Sequence, residues 1–206
     1  MRATIVLLIV LSNKTQLTLF QDKQVYLVYL MIGNIPKAIC QKPLLHAQLL
    51  MGYIPTTKLQ GISNKSTQHR TLANLFHSCM DAILGPIASY GETGLPIMSS
   101  DRVWQRCHPI FAIFIGDYPE QALVTCTYYG QCPKYTVPPD ELGEYKTFLC
   151  PMQSKAINTY LLADNGDIHT FHLACCEAGL KPIFRPFWAS LPLVNIFISI
   201  TLDILY

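Results

Sequence analysis

The strongest constraint on this chain is a pair of apolar runs, Thr4-Ile-Val-Leu-Leu-Ile-Val-Leu11 and Phe111-Ala-Ile-Phe-Ile115, each stopped by polar residues. Their β-branched content reads as buried strands rather than helices. The first runs into Ser12-Asn13-Lys14, and the second delivers a carboxylate, Asp117, just before Pro119 stops any ladder. A metal-dependent nuclease presents its ligands at strand ends in this way, and an ordinary strand also ends like this before a turn. Asp117 is therefore either a ligand or a turn-initiating residue ahead of Tyr118-Pro119.

The remaining punctuation sets the order of elements. Residues 3–12 read as a first strand and Val25–Ile32 as another, with a turn over Gln21–Gln24 and a stop at Gly33-Asn34-Ile35-Pro36. Pro43, Gly52 and Pro55 break any long element between residues 37 and 60, leaving a short helix over Leu44–Leu50. The clearest helix starts near Ser66. Leu72, Leu75, Phe76, Cys79, Met80, Ile83 and Leu84 share one face, His69, Arg70, Asn74, His77 and Asp81 fill much of the other, and Gly85-Pro86 is the expected end. Gly91–Asp101 reads as a loop, Val103–Ile115 as one or two strands, and residues 118–152 as irregular. A second helix is expected over about residues 166–180, with Gly179 near its end.

Composition narrows the class. At 206 residues the chain suits one domain, or a core with an insertion. Half of it is hydrophobic, 14% is charged, and mean hydropathy is +0.27, which argues against disorder. A net charge of +2, with cations scattered in small groups such as Lys58/Lys65/Arg70 and Lys181/Arg185, reads as a solvated surface and advertises no nucleic-acid field. Eight cysteines fall into no regular framework, so a reducing compartment with free thiols is expected, nuclear or cytoplasmic and not secreted. The start Met1-Arg2 plus apolar run mimics a signal peptide but lacks a small-x-small cleavage site. Pro186–Leu202 is uncharged and approaches the ~20 residues of a membrane span, but Pro186, Pro192 and Asn195 interrupt it. Trp104 and Trp188 are expected in the core, and His108 in a structural role. There is no Gly-rich phosphate loop, Ser-His-Asp order or dinucleotide fingerprint.

Several blocks then share a resemblance: Leu11-Ser-Asn-Lys-Thr-Gln-Leu-Thr18, Val28-Tyr-Leu-Met-Ile-Gly-Asn-Ile-Pro-Lys37, Met51-Gly-Tyr-Ile-Pro55, Gly116-Asp-Tyr-Pro-Glu-Gln121, Pro138-Pro-Asp-Glu-Leu-Gly143, Arg185-Pro-Phe-Trp188 and Ile200-Thr-Leu-Asp-Ile-Leu205. In this order they resemble Plavaka-type transposases, fungal mobile-element proteins related to the CACTA group of DDE transposases. The resemblance runs over nearly the whole chain and covers the front part of such a transposase. It implies an α/β fold: a partial RNase H-like core, with a mixed sheet and helices, carrying a Cys-containing irregular insertion. The order of elements fits such a core, as it fits many α/β domains. The implied divisions are residues 1–122 for the core, 123–165 for a Cys/Pro-rich insertion resembling a degenerate zinc knuckle, and 166–206 for a helical and apolar segment.

The resemblance also implies chemistry. Strand transfer in such enzymes uses two divalent cations about 3.5–4 Å apart, and Mg²⁺ demands oxygen ligands. By resemblance, the second carboxylate of the DDE set falls on Asp117 and the first on Asn13, while the third falls beyond Tyr206. Asn13 keeps the size and a carbonyl oxygen but loses the charge, so the two positions read as a vestigial site without productive Mg²⁺ binding. Glu120, Asp140 and Glu141 read as surface loop residues. Relatives close a Cys cluster with Cys-Pro-x-Cys; here Cys126 and Cys132 are the candidate Zn²⁺ ligands and Tyr135 stands at the last position, a phenol being a poor zinc ligand. Cys150, His169, His172, Cys175 and Cys176 are the further donors available. The expectation is a truncated, catalytically inactive transposase-derived polypeptide that contacts DNA or associates with an intact transposase. The alternatives are a zinc-stabilised interaction module without enzymatic activity and a membrane-associated protein using the C-terminal apolar stretch.

Overall fold

The computed structural model describes residues 2–18, 23–137, 139–141, 159 and 167–201. Among these residues, six strands form one mixed sheet: β1 (Arg2–Gln16), β2 (Gln24–Ile32), β3 (Gln48–Pro55), β4 (Leu95–Met98), β5 (Trp104–Ile115) and β6 (Ile200–Thr201). The helices described over their length are α1 (Lys37–Cys40), α2 (Lys65–Thr93), α3 (Tyr118–Val124), α4 (Ile168–Ala178) and α5 (Ile196–Ser199). The strand order is β3-β2-β1-β5-β4, with β6 beside the far end of β5. β1, β2 and β3 form an antiparallel meander, and after the α2 crossover β5 lies parallel to β1, from Arg2↔Gln105 to Leu11↔Ile115. The fold is thus mixed α/β, as expected, and its order is consistent with a partial RNase H-like core.

The core lies on one side of the sheet. Val10, Val28, Ile54, Phe111 and Phe114 meet Phe76, Met80 and Leu84 of α2, with Phe171 of α4 and Phe187 closing the cluster. Burial of each such side chain stabilises by about 1.5–3 kcal/mol. The expectation that β1 is buried outright needs correction. Leu8, Val10 and Ser12 are buried, but Ile5 is 59% and Leu7 40% exposed, because period-two alternation turns them to the other face. Trp104 is likewise exposed rather than in the core. Trp188 packs against the core and donates its indole N–H to the Val124 carbonyl at 2.7 Å.

Four further local expectations differ from the structure. The α2 helix does not stop at Gly85-Pro86 but runs to Thr93 with Pro86 inside it. A proline clashes with the Cβ of the residue before it, and Gly85 has none; the turns beyond it are held by tertiary packing, with Ile87 against the core. Much of the expected loop at 91–101 is therefore helix end and the β4 strand. The expected helix at Leu44–Leu50 is a short 3-10 turn, Pro43–Leu45, followed by β3. The segment after Asp117 starts as helix α3, not as irregular chain. Pro109, inside β5, sits between the stretches paired with β4 and with β6, where β5 is an edge and a missing N–H is tolerated. Half of the Gln21–Gln24 turn, and a good part of the 123–165 segment, lie outside the described residues.

Candidate functional site

The parallel pairing of β1 and β5 decides where the two candidate ligand positions go. The last registered pair is Leu11↔Ile115, so Asn13 and Asp117 each lie two residues further on, at one sheet edge. The chains stay in contact past the ladder. A Cβ on Gly116 would lie 3.1 Å from the Ser12 carbonyl oxygen and 2.9 Å from the Phe114 ring, so only glycine lets the two strand ends close up here. The Gly116 N–H also donates to the Thr201 carbonyl at 3.3 Å, which ties β6 to the same edge. Alternation puts Ser12 and Gly116 toward the core and Asn13 and Asp117 toward the opposite face. Asp117 occupies the N-cap position of α3, yet its side chain makes no capping hydrogen bond.

A residue that reads as surface loop in the sequence stands within electrostatic reach of Asp117. Glu120, in the first turn of α3, is only 5% exposed. Burial raises its carboxyl pKa, with the Asp117 charge adding to the rise, while its own N–H, the Lys14 ammonium and the Lys14 backbone N–H favour the charged form. Burial, with the Glu120 charge adding to it, pushes the Tyr26 phenol up to about 12. Tyr118-Pro119-Glu120 does carry a helix-start signal, a proline in the first turn followed by an acid. An acid whose folded pKa is raised contributes stability below its ordinary pKa and loses it as pH rises through the folded value. Glu120→Gln is therefore expected to raise the melting temperature at pH 7, with the gain vanishing below about pH 4.5, the ordinary value. Thermal melting of both proteins at pH 4 and pH 7 checks this.

The thiol candidates are dispersed. Cys126 is fully buried with Ala73 and Ile183, and its sulfur lies 3.3 Å from His77 Nε2. Cys132 sits in the following turn, half-buried. On α4, Cys175 is buried in the core, its thiol pushed up to about 12 by burial, while Cys176 Sγ is 4.0 Å from the Tyr128 hydroxyl and His172 Nε2 is 3.5 Å from Arg70. Among the described residues, Cys40, Cys79, Cys107, Cys132, Cys175 and Cys176 carry free thiols, and Cys150 lies outside the described residues. His108 is structural, its Nδ1 3.0 Å from the Gly91 carbonyl. No described helix is long and apolar enough to cross a membrane.

The model of the Plavaka transposase family matches residues 1–206, the whole chain. The chain belongs to the Plavaka transposase family. No curated protein and no solved structure matches it. Family membership implies DNA as the general partner and divalent metal as the general cofactor. Of the two positions singled out in the sequence of this Plavaka member, Asn13 offers a neutral amide and Asp117 a single carboxylate, and Glu120 is buried and engaged by Lys14. Among the described residues, no group of three or more His, Cys, Asp or Glu is placed to hold a metal ion.

Proposed function

We propose that this chain is a transposase-derived polypeptide built on a partial RNase H-like core, which contacts DNA but neither cleaves nor joins it. The observation that supports this reading is the β1–β5 register, in which Asn13 of β1 and Asp117 just past β5 each follow the last pair, Leu11↔Ile115, by two residues. Two divalent cations separated by about 4 Å need several anionic ligands to offset their mutual repulsion. An amide and a single carboxylate leave that charge unmatched. Transposon-end DNA and an intact transposase are the partners this reading assigns.

The test joins a cleavage assay to a metal titration. Wild-type protein is expected to give no metal-dependent nicking or joining of end-containing DNA with Mg²⁺ or Mn²⁺. Asn13→Asp should bind Mn²⁺ more tightly by about tenfold, the equivalent of roughly 1.4 kcal/mol, because a second anion then faces the ion. Without metal, the two like charges should raise one carboxyl pKa. Robust nicking by the wild type that Asp117→Ala abolishes would overturn the inactive reading. Equal Mn²⁺ affinity of wild type and Asn13→Asp would show that position 13 does not share a site with Asp117.

A further inference from the structure

On the core side of the same sheet edge lies a cleft of about 970 Å³ that the Asn13 and Asp117 positions do not line. Its walls come from the ends of β1 and β3, the first turns of α2, the turn after α3, the α4 helix and the strand-like segment that follows it. Four cations reach it, Lys14, Lys58, Arg70 and Lys181, and among the described residues no carboxylate lines it. Lys14 lies beside Glu120 and is partly matched in charge. The other three have no acid in the cleft wall. Lys181 is the most telling of these. Its backbone N–H bonds to the Cys126 carbonyl at 2.6 Å, which fixes it in the wall, and burial lowers the pKa of its ammonium. A half-buried cation facing an open cleft without an acid is left to find its counter-charge in a ligand.

Aromatic rings complete the surface. Tyr128 and Tyr129 line the cleft and are 37% and 75% exposed, although exposing a large ring to water is unfavourable. The Tyr129 ring is supported from behind by Tyr118, centroid to centroid 5.4 Å. Cations spread over several elements, interleaved with exposed rings, match a chain of alternating phosphates and bases. The volume far exceeds that of one phosphate and lies at the upper end of the range for small-molecule pockets, about 300–1,000 Å³.

We propose that this cleft binds single-stranded nucleic acid, its phosphates held by Lys58, Arg70 and Lys181 and a base stacked on Tyr129. The proposal rests on the reading of the chain as a DNA-contacting polypeptide, but on residues separate from the Asn13 and Asp117 edge. Divalent metal is not required.

Fluorescence anisotropy with a labelled oligo-dT of about eight nucleotides, in a chelator, tests it. Three phosphate contacts on a single strand predict a logarithmic salt slope near −2, so affinity should fall about 20-fold between 50 mM and 200 mM salt. Arg70→Gln and Lys58→Gln should each weaken binding by about five- to tenfold and make the slope shallower by about 0.7. Tyr129→Ala should weaken binding similarly at an unchanged salt slope, and Lys37→Gln, an exposed cation outside the cleft, should leave binding unchanged. Lys58 and Tyr129 are exposed, so unchanged melting temperatures of their variants show that the fold is intact. Absence of oligomer binding, or binding indifferent to all three cleft variants, would overturn the proposal. So would dTMP or inorganic phosphate binding as tightly as the oligomer, which would make this a site for a free anion. Failure with the oligomer but retained contact with duplex transposon ends would sink the cleft alone; loss of both would sink the DNA-contacting reading as well.

Discussion

Lowering the pH from 6.5 to 4 is expected to remove roughly 3 kcal/mol of folding stability, because His77 must then take up a proton in a place that holds it neutral. His77 is 1% exposed. The Phe187 N–H donates to its Nδ1 at 3.4 Å, so the ring proton sits on Nε2 and is donated to the Leu123 carbonyl at 3.1 Å. The imidazole stacks on the Phe187 ring at 5.6 Å and meets Phe76 edge-on at 5.8 Å. Burial lowers its pKa to about 4, the Leu123 carbonyl opposes this, and the Lys181 charge adds to the lowering. For a base with a depressed folded pKa, the unfolded chain binds the proton first. The stabilisation is therefore complete above pH 6.5 and lost as pH falls toward 4, at up to about 1.4 kcal/mol per pH unit.

Glu120 acts with the opposite sign, since its raised pKa favours the folded state at low pH and weighs against it as pH rises. The two groups together place the stability maximum near or above neutrality only if His77 dominates. Urea denaturation of the wild type and His77→Gln at pH 4.5, 5.5 and 7 measures this. The variant is expected to be less stable at pH 7 and to have a flatter profile below it. An equally steep acid loss in the variant would assign the effect to another group.

His77 also marks where local pattern stops being informative. The stripe Leu72, Leu75, Phe76, Cys79, Met80, Ile83 and Leu84 was legible because a helix packed on one sheet must repeat apolar residues at three and four. Periodicity relative to that stripe puts His77 on the polar side. The fold then lays the 3-10 turn Phe187–Ser190 against the same side of α2 and buries it. That contact joins residues 110 positions apart, and no local spacing encodes it. The same holds for Glu120, whose burial depends on the end of β1, and for the length of α2, where packing outweighs the cost of Pro86.

The neighbouring ends of β1 and β5 were legible for the converse reason: two apolar runs with polar stops carry their own register once they pair in parallel. The basic cleft was not. Its cations lie at positions 14, 58, 70 and 181; Lys58, Arg70 and Lys181 read as parts of separate small groups on a solvated surface, and the net charge of +2 hides the convergence.

The one-sided core predicts a sharp contrast between adjacent residues of β5. Phe114 is fully buried, registered against Val10 of β1 on one side and Ile200 of β6 on the other. Ile113, on the opposite face, is 37% exposed. Phe114→Ala removes a ring from the centre of the cluster and leaves a cavity that neighbouring strands cannot collapse to fill, at a cost of about 3–5 kcal/mol. Ile113→Ala should cost well under half of that, since much of its surface already meets water. The loss at Phe114 should also reach the candidate site. Its ring stands close to Gly116, where β1 and β5 come together past their last registered pair, so removing it loosens that junction. Chemical denaturation gives the two costs, and hydrogen exchange at the amides of residues 10–16 and 114–118 shows whether that edge opens in Phe114→Ala and not in Ile113→Ala. Equal destabilisation by the two substitutions would mean that the sheet is covered on both faces, and that the strand ends are held by more than the single layer of packing beneath them.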